Sequence, residues 1–352
     1  MVGPRSRVGG RRPVDVVVAE RAGSTAPTVS VALGTHNGAR FVEAQLLSIL
    51  EQSRPVDEIV VSDDASTDGT VELIERIVQE RRAAGAPTPE LVVRRNRIPL
   101  GVTANFEQAL RASSGDFVAL CDQDDVWHPD RIALALAASN ARPSVELVAG
   151  EARLVDDAGE PLGSTLFGTL GVDAVLRRRL ESDAAFDELL KRNVLTGATM
   201  LVARSLVERA APFPSSWVHD EWLAMVASVG GGIAIVTEPI IDYRQHGGNQ
   251  IGVTSLGLGG RIERLREPRT RRNARLLARA EDLAERLPTV ARGDRGVKSV
   301  IDEKLAHEEA RRALPKRRWG RVSPILREWR TGRYTRFGLG LQDVLRDLVQ
   351  PD

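Results

Sequence analysis

The sequence predicts an α/β protein: a mostly parallel sheet flanked by helices, followed by a helical C-terminal extension. Three observations carry this expectation. From residue 28 to residue 141, short β-rich runs alternate with amphipathic helical segments, the pattern of right-handed βαβ units. Polar and acidic residues gather directly after three of those strands, where an open parallel sheet places its ligands. From residue 260 onward the pattern is helical and Arg-rich.

The elements follow in order. Residues 28–38, TVSVALGTHNG, form a β-rich run ending on the turn signal Asn37-Gly38. Phe41, Ala44, Leu47 and Leu50 then share one helical face. The stretch DEIVVSDDAS (57–66) supplies a second strand that ends in Asp63 and Asp64. Ser66-Thr67-Asp68-Gly69 opens a helix whose Val71, Ile74 and Ile77 recur at three-residue steps. LVVRRN (91–96) is a third strand, LGVTANFEQALRAS (100–113) a third helix and FVALC (117–121) a fourth strand. Past residue 140 the alternation weakens. Strands are expected over 146–155, 196–203, 233–236 and 240–244, a helix over 218–228, and an irregular excursion over 159–181.

A chain of 352 residues accommodates one large α/β domain with extensions, and its 42% apolar share is ordinary for a globular protein. The division read from composition is a disordered basic segment (1–27), an α/β domain (28–255) and a helical Arg-rich extension (256–352). The first segment lacks the apolar stretch of a signal peptide. No apolar run is long enough to span a bilayer. One cysteine, Cys121, excludes an internal disulfide and a Cys-based metal cluster, and a reducing cytoplasm is the simplest setting. The net charge of +1 hides an asymmetry: residues 28–260 carry 20 basic and 32 acidic side chains, residues 261–352 carry 24 and 14. An acidic body suits a metal or polyol site, and a basic tail suits an anionic partner.

The densest chemistry lies in GDFVALCDQDDVWHPDR (115–131), where an apolar run ends in Asp122, Asp124 and Asp125. Like charges packed this closely repel. Carboxylates two residues apart after a buried strand suit a divalent cation such as Mg²⁺ or Mn²⁺, which would relieve that repulsion. The competing reading is a solvated loop in which Asp125 or Asp130 caps a helix starting near Pro129. The chain has no GxSxG, no suitable Cys–His pair and no P-loop, so covalent and ATP-dependent routes lack support.

Taken together, VSVALGTHNGARFVEAQLLSIL, DEIVVSDDASTDGT, LGVTANFEQALRASSGDFVALCDQDDVWHPDR and HDEWLA…YRQHGGNQ resemble family 2 glycosyltransferases of the GT-A fold. They look most like bacterial rhamnosyltransferase-type members that build surface polysaccharides. The resemblance covers roughly residues 28–250 and implies roles position by position. Thr35, Asn37, Asp63 and Asp64 would line the nucleoside side of the donor pocket, with Asp63 accepting from the N3–H of uracil or thymine. Asp122 and Asp124 match the DxD, Asp124 on the metal and Asp122 on metal and sugar. His246 would complete the metal site or contact the diphosphate. Thr196-Gly197 would pass beside the donor sugar. Asp220 would be the general base of an inverting transfer, with Glu221 a rival because many relatives carry an aromatic residue there. Trp127 and Trp222 would wall the acceptor pocket or belong to the core.

The implied cofactor is Mg²⁺ or Mn²⁺. The implied partners are a nucleotide-diphosphate sugar (dTDP-rhamnose or a UDP-sugar) and a saccharide or polyprenyl-linked acceptor, with no nucleic acid. Arginines mixed with Trp319, Trp329, Tyr334 and Phe337 over 311–337 suit peripheral contact with the inner face of the plasma membrane, or a solvated helical face. Two rivals remain: an inactive donor-binding scaffold, and a response-regulator-like phosphoacceptor. The latter requires an acid after the third strand and a later lysine. LVVRRN ends without an acid, and residues 28–260 hold only Lys191.

Overall fold

The computed structural model describes residues 26–246, 268–291 and 296–352. Most of the basic N-terminal segment, the GGNQ that follows His246, and the 255/256 boundary lie outside the described residues.

The strand β1 (Val29–Thr35) is buried along almost its whole length, as expected of a central parallel strand covered on both faces. It pairs in parallel with β2 (Glu58–Asp63) on one side and with β4 (Phe117–Cys121) on the other, and β3 (Glu90–Arg95) extends the sheet beyond β2. The intervening helices are α1 (Val42–Leu50), α2 (Thr70–Ala83) and α3 (Val102–Ala112). The order β3-β2-β1-β4 reverses direction at β1/β4, and a crevice opens at the carboxyl ends of strands at such a switch point. Strand periodicity assigns the side chains to two cores. Ala32, Val60, Val118 and Leu120 face one, and Val31, Leu33, Val61 and Ala119 face the other.

Beyond β4 the chain runs through β5 (Val126–Trp127), α4 (Arg131–Ala141), β6 (Leu147–Val155), β7 (Pro161–Thr165), α5 (Leu166–Leu170), α6 (Ala174–Leu180) and α7 (Ala185–Leu189). Then come β8 (Leu201–Ala203), α8 (Arg204–Ala210), α9 (His219–Ser228) and β9 (Ile233–Arg244). The full order is β3-β2-β1-β4-β8-β6-β9-β5, with β7 on β6. The short β8 runs antiparallel between β4 and β6, so the parallel character belongs to β1–β4 and to the β6/β9 pair. This order, with an antiparallel strand next to β4, is not the 2-1-3-4-5 order of a response regulator.

Three local expectations are corrected. The excursion 159–181 is ordered: Asp156 accepts from the backbone N–H of Ala158 and Glu160, both at 2.9 Å, closing a turn that sets β7 on β6, and Asp173 caps α6. The two strands over 233–236 and 240–244 are one strand whose register shifts opposite Gly150, Glu151 and Ala152, because Pro239 cannot continue a regular ladder. Over 196–203 only β8 is extended. Gly197–Thr199 forms a 3₁₀ turn, since the Gly197 N–H is used elsewhere.

The C-terminal helices are α10 (Arg269–Val290), α11 (Val297–Arg312), α12 (Arg318–Arg330), α13 (Arg333–Phe337) and α14 (Leu341–Val349). Leu283, Leu287, Val297, Ile301 and Phe337 pack into the same apolar cluster as Trp217 and Trp222. Buried charge ties the helices together. Burial alone would raise the Glu308 carboxyl, but Lys304 and Arg311 outweigh it and hold it at about 2. The aromatic-rich reading of 311–337 is corrected in part: Tyr334 and Phe337 are core residues, whereas Trp319 is 91% exposed.

Candidate active site

The carboxyl ends of β1, β2 and β4 deliver most of the predicted polar residues to one place. Thr35, Asp64, Asp122, Asp124, Thr196, Gly197, Asp220 and His246 line a single cavity of about 200 Å³. Parallel register makes this unavoidable. Thr35 stands opposite Asp63, and Leu33 opposite Cys121, so the residues that follow each strand emerge on one edge.

Two of the predicted residues stand behind the lining. Asp63 is buried, and its carboxylate accepts from Thr35 Oγ1 at 2.7 Å and from the Ser66 N–H at 2.9 Å. It pins the loop after β2 to the end of β1. Asn37 is exposed with φ 49°, a left-handed conformation tolerated by Asn, and its Oδ1 accepts from the Thr67 N–H at 2.9 Å. Asp64 accepts from the N–H groups of Leu100 and Gly101, which draws the start of α3 over the cavity.

The three aspartates after β4 have separate environments. Burial, then Asp124, then Asp220 push Asp122 up to about 7. Asp124 Oδ2 lies 2.7 Å from His246 Nε2, so residues 122 positions apart in sequence meet here. Asp125 is buried. Its Oδ1 accepts from the Arg244 N–H at 3.0 Å, its Oδ2 has no hydrogen-bond partner, and burial raises it well above the usual carboxylate range. The capping reading is therefore corrected: Asp125 points inward, and Asp130, although it precedes α4, gives no side-chain cap and instead accepts from Ser53 Oγ at 2.6 Å.

Asp220 occupies the first turn of α9. Its Oδ2 accepts from the Gly197 N–H at 3.0 Å and its Oδ1 from the Glu221 N–H at 2.6 Å, while burial raises its pKa above the ordinary value. A Cβ at position 197 would lie 3.0 Å from His219 Nε2 and 3.2 Å from Asp220 Cβ, so the close approach of these two segments requires glycine. Glu221 points away from this cavity and pairs with Arg279 at 2.7 Å. Only Asp220 of the two acids lines the cavity with Asp122 and Asp124. The acceptor-wall reading of Trp127 and Trp222 is corrected. Both are core residues, Trp127 stacked by the Arg131 guanidinium at 3.7 Å and Trp222 donating from Nε1 to the Ala210 carbonyl.

Several contributors were not singled out in the sequence. Gln123 clamps β1 to β4, accepting from the His36 N–H at 2.8 Å and donating to the His36 carbonyl at 3.0 Å. Arg244 donates from Nε to the Asp124 carbonyl at 2.8 Å. His219 stacks on Phe106 with ring centroids 4.0 Å apart, and burial lowers its pKa to about 3, so it is neutral. The cue for Arg244 was present in YRQH, directly after a strand. Nothing local marks Gln123 as a clamp, because its partner lies 87 residues away.

Among the described residues no three His, Cys, Asp or Glu side chains form a closed metal cage. The chemistry nevertheless fits an open site. Two closely spaced carboxylates, Asp122 and Asp124, with the His246 imidazole beside Asp124, suit a hard or borderline cation that takes its remaining ligands from phosphate and water.

Comparison with known proteins agrees with this architecture. The crystal structure of residues 1–349 of Staphylococcus aureus TarS in complex with UDP-GlcNAc superposes with a TM-score of 0.52. It is 18% identical, and the superposition covers 80% of this chain and 72% of that one. The fold is therefore GT-A-like. Rv1520, an uncharacterized protein of Mycobacterium tuberculosis, is 30% identical over 195 residues, 54% of this chain and 50% of its own length. TuaG of Bacillus subtilis, named for teichuronic acid biosynthesis, is 26% identical over 178 residues, 51% of this chain and 63% of its own. The dTDP-rhamnosyl transferase RfbG of Shigella flexneri is 31% identical over 107 residues, 30% of this chain and 35% of its own. The chain thus spans only about half the length of a relative such as Rv1520. The sequence profile of Glycosyl transferase family 2 matches residues 30–209, about half of the 352, and the chain belongs to that family.

Proposed function

We propose that the chain is an inverting, metal-dependent glycosyltransferase that moves a sugar from a nucleotide-diphosphate donor to a saccharide or lipid-linked saccharide acceptor in cell-surface polysaccharide synthesis. The observation that carries this reading is the meeting of Asp122, Asp124, His246 and Asp220 on one cavity at the β1/β4 switch point. Asp124 and Asp122, with His246, would hold Mg²⁺ or Mn²⁺, which when bound offsets negative charge on the departing diphosphate. Thr35 and Asp64 frame the nucleoside side, and Gly197 leaves room for the sugar. Asp63, behind Thr35, would share an oxygen with a pyrimidine N3–H, and Asn37 shapes the adjoining loop. Asp220 takes the acceptor hydroxyl's proton. The acceptor oxygen bonds to the anomeric carbon as that carbon's bond to the phosphate oxygen breaks, the electron pair leaving with the nucleotide.

The names of RfbG and TuaG support a rhamnose donor and a wall-polymer setting, and the TarS complex supports a UDP-sugar as the alternative. Calorimetry with dTDP, UDP and GDP, with and without Mn²⁺, decides between them. One nucleotide should bind only with the metal, and Asp124→Asn should weaken it by about tenfold or more. Absence of binding by every nucleotide would remove the donor site.

The division into a catalytic domain over 28–255 and a C-terminal extension is part of the same proposal, as is a cytoplasmic location with peripheral membrane contact. No helix among the described residues is long and apolar enough to cross a membrane. On α12 the buried face carries Arg321, Ile325 and Glu328, whereas Trp319, Val322, Leu326 and Trp329 form an exposed stripe flanked by Arg318, Arg327 and Arg330. Leu341, Leu345 and Val349 form a second exposed stripe on α14, which packs against α12. Apolar stripes edged by arginine suit an anionic bilayer. Co-sedimentation with phosphatidylglycerol vesicles should fall by about tenfold in Trp319→Ser/Leu326→Ser; equal sedimentation of both proteins would refute the contact.

A further inference from the structure

A second cavity, of about 470 Å³, lies between the α/β body and the C-terminal helices. Its wall is strongly cationic. Eight of the lining side chains are Arg or Lys, against three Glu or Asp. Helical periodicity produces this. Arg272, Arg275 and Arg279 recur at three- and four-residue steps on one face of α10, and Lys304 and Arg311 share a face of α11. Arg346 of α14 and the cations at 191–192 complete the ring.

Internal acids offset part of this charge. Glu308 serves Lys304 and Arg311, Asp347 serves Arg272 and Arg311, Glu221 serves Arg279, and Asp343 serves Arg346. Glu188 serves Lys191 at 3.0 Å. The wall itself still presents more cationic than acidic side chains to a half-enclosed space. Two of the guanidinium groups are themselves incompletely bonded. Arg272 is 6% and Arg311 2% exposed, yet Arg272 Nη1 and Arg311 Nη2 are buried without a hydrogen-bond acceptor. Buried donors normally find partners, and guanidinium forks match phosphate oxygens in particular.

The position of the cavity relates it to the chemistry. Val218, His219 and Asp220 line the carboxylate-rich cavity, whereas Trp217 and Glu221 line this one. One turn of chain, Trp217–Glu221, is the wall between them. Arg279 bridges the back of that wall, paired with Glu221 and lying 4.1 Å from the Trp217 ring. We propose that the cationic cavity binds the phosphate or diphosphate group of the acceptor and so presents the acceptor hydroxyl across this wall to Asp220, an inference that rests on the glycosyl-transfer reading.

The test is titration of inorganic pyrophosphate into the full chain in EDTA. Without a divalent cation the carboxylate-lined cavity repels phosphate, so binding reports the cationic one. Pyrophosphate should bind, and Arg275→Glu or Arg346→Glu should weaken it by about tenfold or more. Arg82→Glu, an equal charge change on exposed α2, should leave it unchanged. Absence of binding, or an equal loss in Arg82→Glu, would overturn the proposal. Competition by undecaprenyl phosphate in phosphatidylcholine vesicles would identify a lipid-borne group, competition by glucose 1-phosphate a soluble one, and competition by neither would overturn the acceptor assignment. Metal-dependent nucleotide binding is measured separately, so loss of the pyrophosphate site leaves the donor reading intact.

Discussion

Asp220→Asn should lower kcat by about 10²–10⁴, the usual worth of a positioned general base, or roughly 3 to 5 kcal/mol of transition-state stabilisation. Nucleotide affinity should stay near that of the native chain, because in the proposed reaction Asp220 serves the acceptor and not the nucleotide. The substitution is nearly isosteric, and an amide oxygen can still accept from the Gly197 N–H, so the turn at Gly197–Thr199 should survive. The pH profile supplies a second readout. Burial raises Asp220 above its ordinary value of 3.8, and the base acts only as the carboxylate. Activity should therefore fall as pH drops through a midpoint above 3.8, and in Asp220→Asn the part of that limb due to Asp220 should vanish, leaving the fall that protonation of Asp122, raised to about 7, imposes on the proposed metal site. Glu221→Gln should behave differently, since it unpairs Arg279 without removing a group from the cavity that Asp122, Asp124 and Asp220 line. Full turnover in Asp220→Asn, with collapse in Glu221→Gln, would transfer the base assignment to Glu221. Full turnover in both would leave a carboxylate base without support.

The largest stability effect is expected at Asp347. This side chain is fully buried and joins four helices. Its Oδ1 accepts from Arg272 and, at 3.2 Å, from Asn273 Nδ2, while its Oδ2 accepts from Arg311 Nε at 2.8 Å and Tyr334 Oη at 2.9 Å. Arg272 relies on it for charge compensation, and Arg311 shares it with Glu308. Removing one partner of a buried pair leaves an uncompensated charge, so Asp347→Ala should cost about 3–5 kcal/mol, read from urea unfolding followed by tryptophan fluorescence. Asp347→Asn keeps the shape and should cost less. A loss below about 1 kcal/mol in Asp347→Ala would mean that water reaches and solvates Arg272 and Arg311. The neighbouring Glu308 sets the pH window of the same network. Its carboxyl is depressed from 4.5 to about 2, so its stabilising contribution is complete above pH 4.5 and is lost as pH falls towards 2.

Much of this protein is determined by local pattern. The alternation of strand and helix over residues 28–141 requires only that apolar residues recur with periods of 2 and 3.6, and α1, α2, α3 and β1–β4 stand where those periods place them. The gathering of Thr35, Asp64, Asp122 and Asp124 on one edge follows from parallel pairing alone, because parallel strands present the same end to the same side. The family match takes in this stretch and continues to residue 209.

Tertiary structure decided what depends on partners far away in the chain. Asp124 meets His246 across 122 residues, Gly197 turns out of a strand because Asp220 takes its N–H, and Arg279 of the C-terminal helices holds Glu221 away from the carboxylate-lined cavity. No periodicity encodes such contacts. Nor does composition separate a solvated arginine from one that is buried and paired. In 311–337 the arginines look alike in sequence, yet Arg311 and Arg321 are buried while Arg317 and Arg318 face solvent. The physical reason is common to all these cases. Secondary structure responds to the average polarity of a helix or sheet face, whereas the environment of a charge is set by the few groups within hydrogen-bonding distance, and only the folded chain brings those together.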